Sequence, residues 1–179
     1  PRFFVMENVK GLMSSPLKDA DGKSTEGKVI DIILEEFSKL HYKTVYGVLD
    51  AVNYGVPQFR ERFVLIGRRD NEDIFLPIPT HFQMHQNAAH RWVTLGSSIR
   101  DLEDVPGECA DFSPARLKYL KLVPEGGNWK NLPADVLEDA MGGAYLSGGG
   151  KVGFYRRLSY SQPSPTAVTS PIQKATMMC

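Results

Sequence analysis

The sequence predicts an α/β fold in which a short sheet carries a helix on one face and a less regular region follows. Three observations predict it. Apolar runs of strand length lie at 3–9, 43–51 and 62–69, each bounded by turn residues. A segment with helical spacing separates the first two runs. Beyond Asp70 neither period persists for long.

The first run, "FFVMENV", is apolar until it closes on Glu7 and Asn8, and it suits a buried parallel strand. The turn-rich "GLMSSPLKDADGKS" after it reads as a loop. From Thr25 the pattern becomes helical: Val29, Ile32, Ile33, Phe37 and Leu40 are expected to face the sheet, with Ser24 or Thr25 as the N-cap. "KTVYGVLDA" and "RFVLIGRR" supply a second and a third strand. The segment between them, "VNYGVPQFRE", is too short for a crossover, so these two strands must be antiparallel neighbours. A strand, helix, strand, strand unit of this kind forms the edge of a doubly wound sheet.

Residues 71–155 form a second, irregular region. "DNEDIFLPIPTHFQMHQNAAHRW" mixes charge, proline and three of the four histidines. "PARLKYLKLV" and "LPADVLEDAM" are short helical candidates, and "PEGGNWKNLP" and "GGAYLSGGGKVG" are glycine-rich connectors. A third block, 156–179, opens with "RRLSYSQPSPTAVTSP", too ordered in pattern for a linker.

Composition narrows the function classes. Hydrophobic residues make up 42% of the 179, enough for a sizeable core. The 21 basic and 21 acidic residues cancel, so any basic binding site must be local. Cys109 and Cys179 are too few for a disulfide framework, which points to a cytoplasmic protein. No apolar run approaches the ~20 residues of a membrane span, and the opening "PRFFVMENV" is neither a signal peptide nor an initiation site. The chain reads as part of something longer.

Two places could carry chemistry. In an extended "QFRER", Arg60 and Arg62 point the same way with Gln58 two residues before them. That pattern fits a solvated strand end or an anion or carbonyl clamp. Glu7 and Asn8 fit the first solvated residues of a loop, or a carboxyl in a partly dry pocket where desolvation favours its protonated form. His81, His85 and His90 lack the cysteines or the acid at ligand spacing that would complete a metal site. Trp92 and Trp129 are expected in cores.

The blocks "ENV" after an apolar run, "NYGVPQFRERFVLIG" and "RRLSYSQPSPTAVTSP", in this order and with a poorly patterned insert before the last, resemble the DNA (cytosine-5) methyltransferase family. "LVPEGGNWKNLP" resembles phrasing of its bacterial members. The resemblance covers nearly the whole chain. It implies the C-terminal part of a Rossmann-like S-adenosylmethionine-dependent methyltransferase sheet at 1–70. A smaller target-recognition region would occupy 71–155, and 156–179 would return to the catalytic domain.

The activity implied is methyl transfer to carbon 5 of a flipped cytosine in a specific double-stranded DNA sequence, within a bacterial restriction-modification system. In that chemistry a cysteine thiolate attacks carbon 6 and negative charge develops on the ring. By resemblance Glu7 bonds the base at N3 and the exocyclic amine, and Arg62 lies near the base oxygen and supports the ring and the glutamate. Asn8, Gln58, Arg60 and Arg157 are the matching substrate-side residues. The block holding Arg156 and Arg157 is expected to organise the target-recognition region more than to bind phosphate. Arg91, Arg100, Lys130 and Asn131 are candidate base readers, each of a type equally at home on an ordinary surface.

The family's Pro-Cys nucleophile motif is missing from the sequence, and neither Cys109 nor Cys179 matches it. No glycine-rich turn for S-adenosylmethionine is present. The chain alone is therefore expected to be inactive, and an unpaired sheet edge is expected to promote self-association; a molecular mass independent of concentration would count against that. A transfer-RNA cytosine methyltransferase and a catalytically dead DNA-binding protein are the competing readings. The long irregular region favours DNA over RNA, and the intact Glu7, Gln58, Arg60 and Arg62 argue against a dead protein.

Overall fold

Strands β1 (Phe3–Val9), β2 (Lys43–Asp50) and β3 (Glu61–Arg68) form one sheet in the order β1, β3, β2. The computed structural model describes residues 1–18, 22, 24–70, 72–105, 107, 112–147, 153–167 and 177–178. The central β3 is antiparallel to both neighbours, with Phe63 opposite Asn8 on one side and Val48 on the other. The antiparallel β2–β3 pair is as the short connection requires. β1 is not the buried parallel strand expected of a continuous apolar run. It pairs antiparallel with β3, and alternate residues Phe3, Val5, Glu7 and Val9 are exposed, Val5 at 69%.

Helix α1 (Lys28–Lys39) explains which face is covered. Its Ile30, Ile33, Leu34 and Phe37 form one helical stripe, and they pack with Phe4, Met6 and Leu12 around the buried Phe63 and Leu65. The stripe differs from the expected one: Ile33 and Phe37 lie on it, while Ile32 and Leu40 are exposed. The helix also starts later. Gly27, in the left-handed region at φ 73°, precedes its first turn, and Ser24–Thr25 pair instead with Leu17–Lys18 in a two-residue ladder. Close packing on this face needs Gly67, because a Cβ there would stand 1.9 Å from the Phe4 ring. Phe4 in turn stacks on Phe37 at 4.0 Å and meets Tyr42 edge-on at 4.9 Å.

At the sheet end away from Glu7, Arg2 and Arg68 both engage Asp70. The hydrogen bond from Arg68 is the main cause that holds the Asp70 carboxyl far below the usual carboxylate range, against the opposing effect of partial burial. A depressed folded-state value adds stability that is complete above the ordinary value of about 3.9 and is lost as pH falls through the folded value. Asp70→Asn is therefore expected to lower stability at neutral pH and to flatten its decline below about pH 4. Urea midpoints across that range test it, and parallel curves for the two proteins would refute it.

The chain divides into two compact units, Pro1–Trp92 and Val93–Cys179. Residues 77–92 belong to the first unit and fold back onto the β2–β3 connection. The Asn53 carbonyl accepts from the Thr80 and His81 amides at 2.9 and 3.0 Å, and its side chain accepts from the Trp92 indole at 3.0 Å. Trp92 also meets Phe59 edge-on at 5.3 Å.

The second unit holds helices α2 (Leu95–Ile99), α3 (Pro114–Leu120) and α4 (Ala134–Met141). α3 and α4 are the two helices expected from their patterning. α2 has too few residues to show a period, and Thr94 caps it by accepting from the Ser97 amide at 3.2 Å. The core gathers Tyr119, Leu120, Val123, Leu132, Ala140, Met141 and Tyr155, with Trp129 packed against it. Tyr155 adopts φ 49° and donates its buried hydroxyl to the Ala140 carbonyl at 2.9 Å. Among the described residues no helix is long and apolar enough to cross a membrane.

Candidate functional site

Side chains alternate across the sheet, so register decides which residues meet. Val9 lies opposite Arg62 and Glu7 opposite Val64, which puts Glu7 and Arg62 diagonally on the face that α1 leaves uncovered. There the Arg62 Nε stands 2.7 Å from Glu7 Oε1, and Arg62 Nη1 donates to the Glu61 carbonyl at 2.8 Å. The neighbouring acid, Glu61, is engaged by Lys10 at 2.5 Å. Arg62 is thereby directed to Glu7. The carboxyl does not sit in a dry pocket: its side chain is 56% exposed, because Val5 and Val9 beside it are also uncovered.

Arg60 and Arg62 line one cleft of about 280 Å³ with Leu49, Ala51, Tyr54 and Pro77. The walls are apolar apart from the two guanidinium groups and the Tyr54 hydroxyl, which donates to the Pro77 carbonyl at 2.9 Å. Burial pushes the Tyr54 phenol above its ordinary value. Arg60 is exposed, and its side chain makes no hydrogen bond or ion pair among the described residues. An arginine pair over apolar walls can hold a planar polar ring or a negatively charged oxygen.

The other expected residues are not drawn together. Asn8 points to the α1 side, opposite Phe63, and its Oδ1 accepts from the Val9 amide at 2.8 Å. That bond shapes the strand end. Gln58 is half-buried in the turn before Arg60, outside the cleft lining.

Arg157 belongs to the second unit, where Nη1 donates to the Val123 carbonyl at 3.1 Å and its amide to the Gly127 carbonyl at 3.0 Å. Both bonds are to backbone within the second unit. Asn131 accepts from the Asn128 amide at 3.0 Å in a capping box, Arg91 donates to the His85 carbonyl at 2.9 Å, and Arg100 lies over the Tyr160 ring at 4.9 Å. Lys130 is exposed. His85 and His90 stand ring to ring at 5.1 Å, yet no group of metal-ligating side chains occurs among the described residues. Cys109 and Cys179 lie outside the described residues.

One residue at the site escaped the sequence reading. Asp50, the last of β2, accepts on Oδ1 from the Arg60 amide at 2.8 Å and the Val52 amide at 3.4 Å. The signal was available: an aspartate at the end of a strand and the start of a turn commonly bonds the backbone two residues on.

Residues 1–128 match the family model described as C-5 cytosine-specific DNA methylase. Over its whole length the chain is 35% identical to Type II methyltransferase M.Sau96I of Staphylococcus aureus, covering 38% of that protein. It is 34% identical to M.PspPI of Psychrobacter sp. (strain TA137) and 32% identical to M.Eco47II of Escherichia coli, covering all of this chain and 41% of each relative. The chain thus spans about two fifths of the length of these relatives. It also superposes, at a TM-score of 0.42 and 13% identity, on the crystal structure of S. pombe Dnmt2 methyltransferase, covering 97% of this chain and 42% of that one, too loosely to argue from.

Proposed function

The chain belongs to the C-5 cytosine-specific DNA methylase family, and from that premise we propose that it carries the base-contacting face and target-recognition region of a bacterial Type II DNA (cytosine-5) methyltransferase. The observation that carries the proposal is the Glu7–Arg62 ion pair on an open sheet face beside the arginine-lined cleft. An ion pair this exposed stabilises the fold by at most about 1 kcal/mol. Its value is in orientation.

The reaction needs such an arrangement. When a thiolate adds to carbon 6 of an extruded cytosine, electron density moves toward N3 and the carbonyl oxygen of the base. Glu7 bonds N3 and the exocyclic amine, so it fixes the base edge-on. Arg62 holds Glu7 in place through Nε and presents positive charge toward the carbonyl oxygen of the base, where charge grows. Arg60, with its guanidinium uncommitted among the described residues, lies at the mouth of the same cleft and serves the nucleotide around the base. Residues 71–155 are assigned to reading the target sequence in double-stranded DNA, and Arg157 holds its Val123 and Gly127 segments in shape.

S-adenosylmethionine supplies the methyl group. Among the described residues Gly11, Gly22 and Gly27 are spread out between β1 and α1, and Gly142 and Gly143 follow α4 rather than a strand, so no glycine cluster makes a strand-to-helix turn there. The nucleophile and the donor site are assigned to the part of the enzyme that precedes and surrounds this chain, which on its own would not transfer methyl groups. A cytoplasmic location follows from this function.

The test incubates the complete reading frame that encodes this chain with labelled S-adenosylmethionine and either genomic DNA or transfer RNA. Label recovered as 5-methylcytosine in DNA is the expected result. Label in RNA alone would transfer the proposal to a transfer-RNA enzyme, and DNA binding without label would leave a reader without chemistry.

A further inference from the structure

We infer that Asp50 is the positioning residue that sets Arg62, and through it Glu7, for methyl transfer; the inference rests on the methyltransferase function proposed above. Arg62 is only the second residue of β3, at the end where a strand frays most readily. Its direction depends on how the chain enters the strand. The ten residues between Asp50 and Glu61 leave the sheet through a single 3₁₀ turn, Ala51–Tyr54, that ends on Gly55 at φ 84°. Val56–Arg60 then return as irregular chain.

Two contacts close the mouth of this loop. The Ala51 amide donates to the Arg60 carbonyl at 3.2 Å, and Asp50 Oδ1 accepts from both the Arg60 and the Val52 amides. A single carboxylate oxygen therefore joins the outgoing leg to the returning one. Val52 is 1% exposed, so its amide depends on a protein partner. Loss of that oxygen would release the first turn and the Arg60 main chain together, two residues before Arg62.

Register also excludes a direct role. Asp50 pairs with Glu61 and so lies on the α1 side of the sheet, whereas Arg62 and Glu7 lie on the other. A base held by Glu7 and Arg62 would not touch Asp50. The residue acts through the backbone, and an acceptor oxygen at its position is all the geometry requires.

That requirement gives the experiment, done on the complete reading frame with steady-state methyl transfer to DNA as the readout. Asp50→Asn keeps the acceptor and is expected to stay within about threefold of wild type. Asp50→Ala is expected to lower kcat by about 10- to 100-fold, the scale of a roughly 1 Å misplacement, with little change in KM for DNA. In an Arg62→Lys background the further loss from Asp50→Ala should shrink to under about threefold, because both changes act on one contact. Asp50→Ser, with a shorter acceptor, should fall between Asn and Ala, and it carries the test if the alanine protein does not fold.

An unchanged kcat in Asp50→Ala, an Asn variant as damaged as the Ala variant, or full additivity with Arg62→Lys would each overturn the inference alone. A wild-type enzyme that labels no DNA would overturn the proposed function and this inference with it.

Discussion

Glu7→Gln is expected to lower kcat for methyl transfer to DNA by about 10²- to 10³-fold, the usual cost of removing one preorganised group that meets developing charge. Glutamine preserves the shape of the side chain and one carbonyl oxygen. It removes the negative charge that holds Arg62 Nε at 2.7 Å, and with it the pair's fixed orientation. The fold should barely respond, since Glu7 is more than half exposed and exposed ion pairs contribute little. Thermal midpoint and DNA affinity should therefore match wild type while kcat falls. A kcat within about threefold of wild type would show that the pair is an ordinary surface contact. A matched loss of DNA affinity would assign Glu7 to binding and not to the chemical step.

Phe63→Ala is expected to have the largest effect on stability, about 3–5 kcal/mol, as for other fully buried aromatic residues cut to alanine. Phe63 is 0% exposed at the centre of the sheet, where Ile30 and Leu65 complete the buried cluster and the Tyr46 ring lies 5.8 Å away. It sits in β3 directly after Arg62, so the cavity opens beneath the site. Urea unfolding gives the measurement. A loss under about 1 kcal/mol would mean that α1 and the sheet collapse into the space, and that the core is less tightly specified than its burial implies.

The legible parts of this chain are those set by local chemistry. Strands β2 and β3 and their antiparallel pairing follow from two apolar runs and a connection too short to cross over. α3 and α4 follow from spacing, and the Glu7 and Arg62 pair from motif order. Where neighbours along the chain do not decide, the sequence pattern and the fold part company. The α1 stripe runs through Ile30 and Leu34 rather than Ile32 and Leu40, because a shift of one residue turns a helix by about 100° and the sheet determines which side is buried. Ser24 and Thr25 carry good capping side chains, yet a two-residue ladder takes them and the helix begins after Gly27. Asn8 is adjacent to Glu7 in sequence and is carried to the opposite face by the pleat.

The α/β character, the three strands, the family and the pair of side chains on which the chemistry is proposed to depend can all be read along the chain. Each of these is written in residue type and short-range order. It takes the folded chain to place β1 beside β3, to leave the Glu7 face open, to bring residues 77–92 back on the β2–β3 loop, and to close the loop's mouth with Asp50. Those features depend on register and on contacts between residues far apart in the chain, and a one-residue change of register would send Glu7 and Arg62 to different faces.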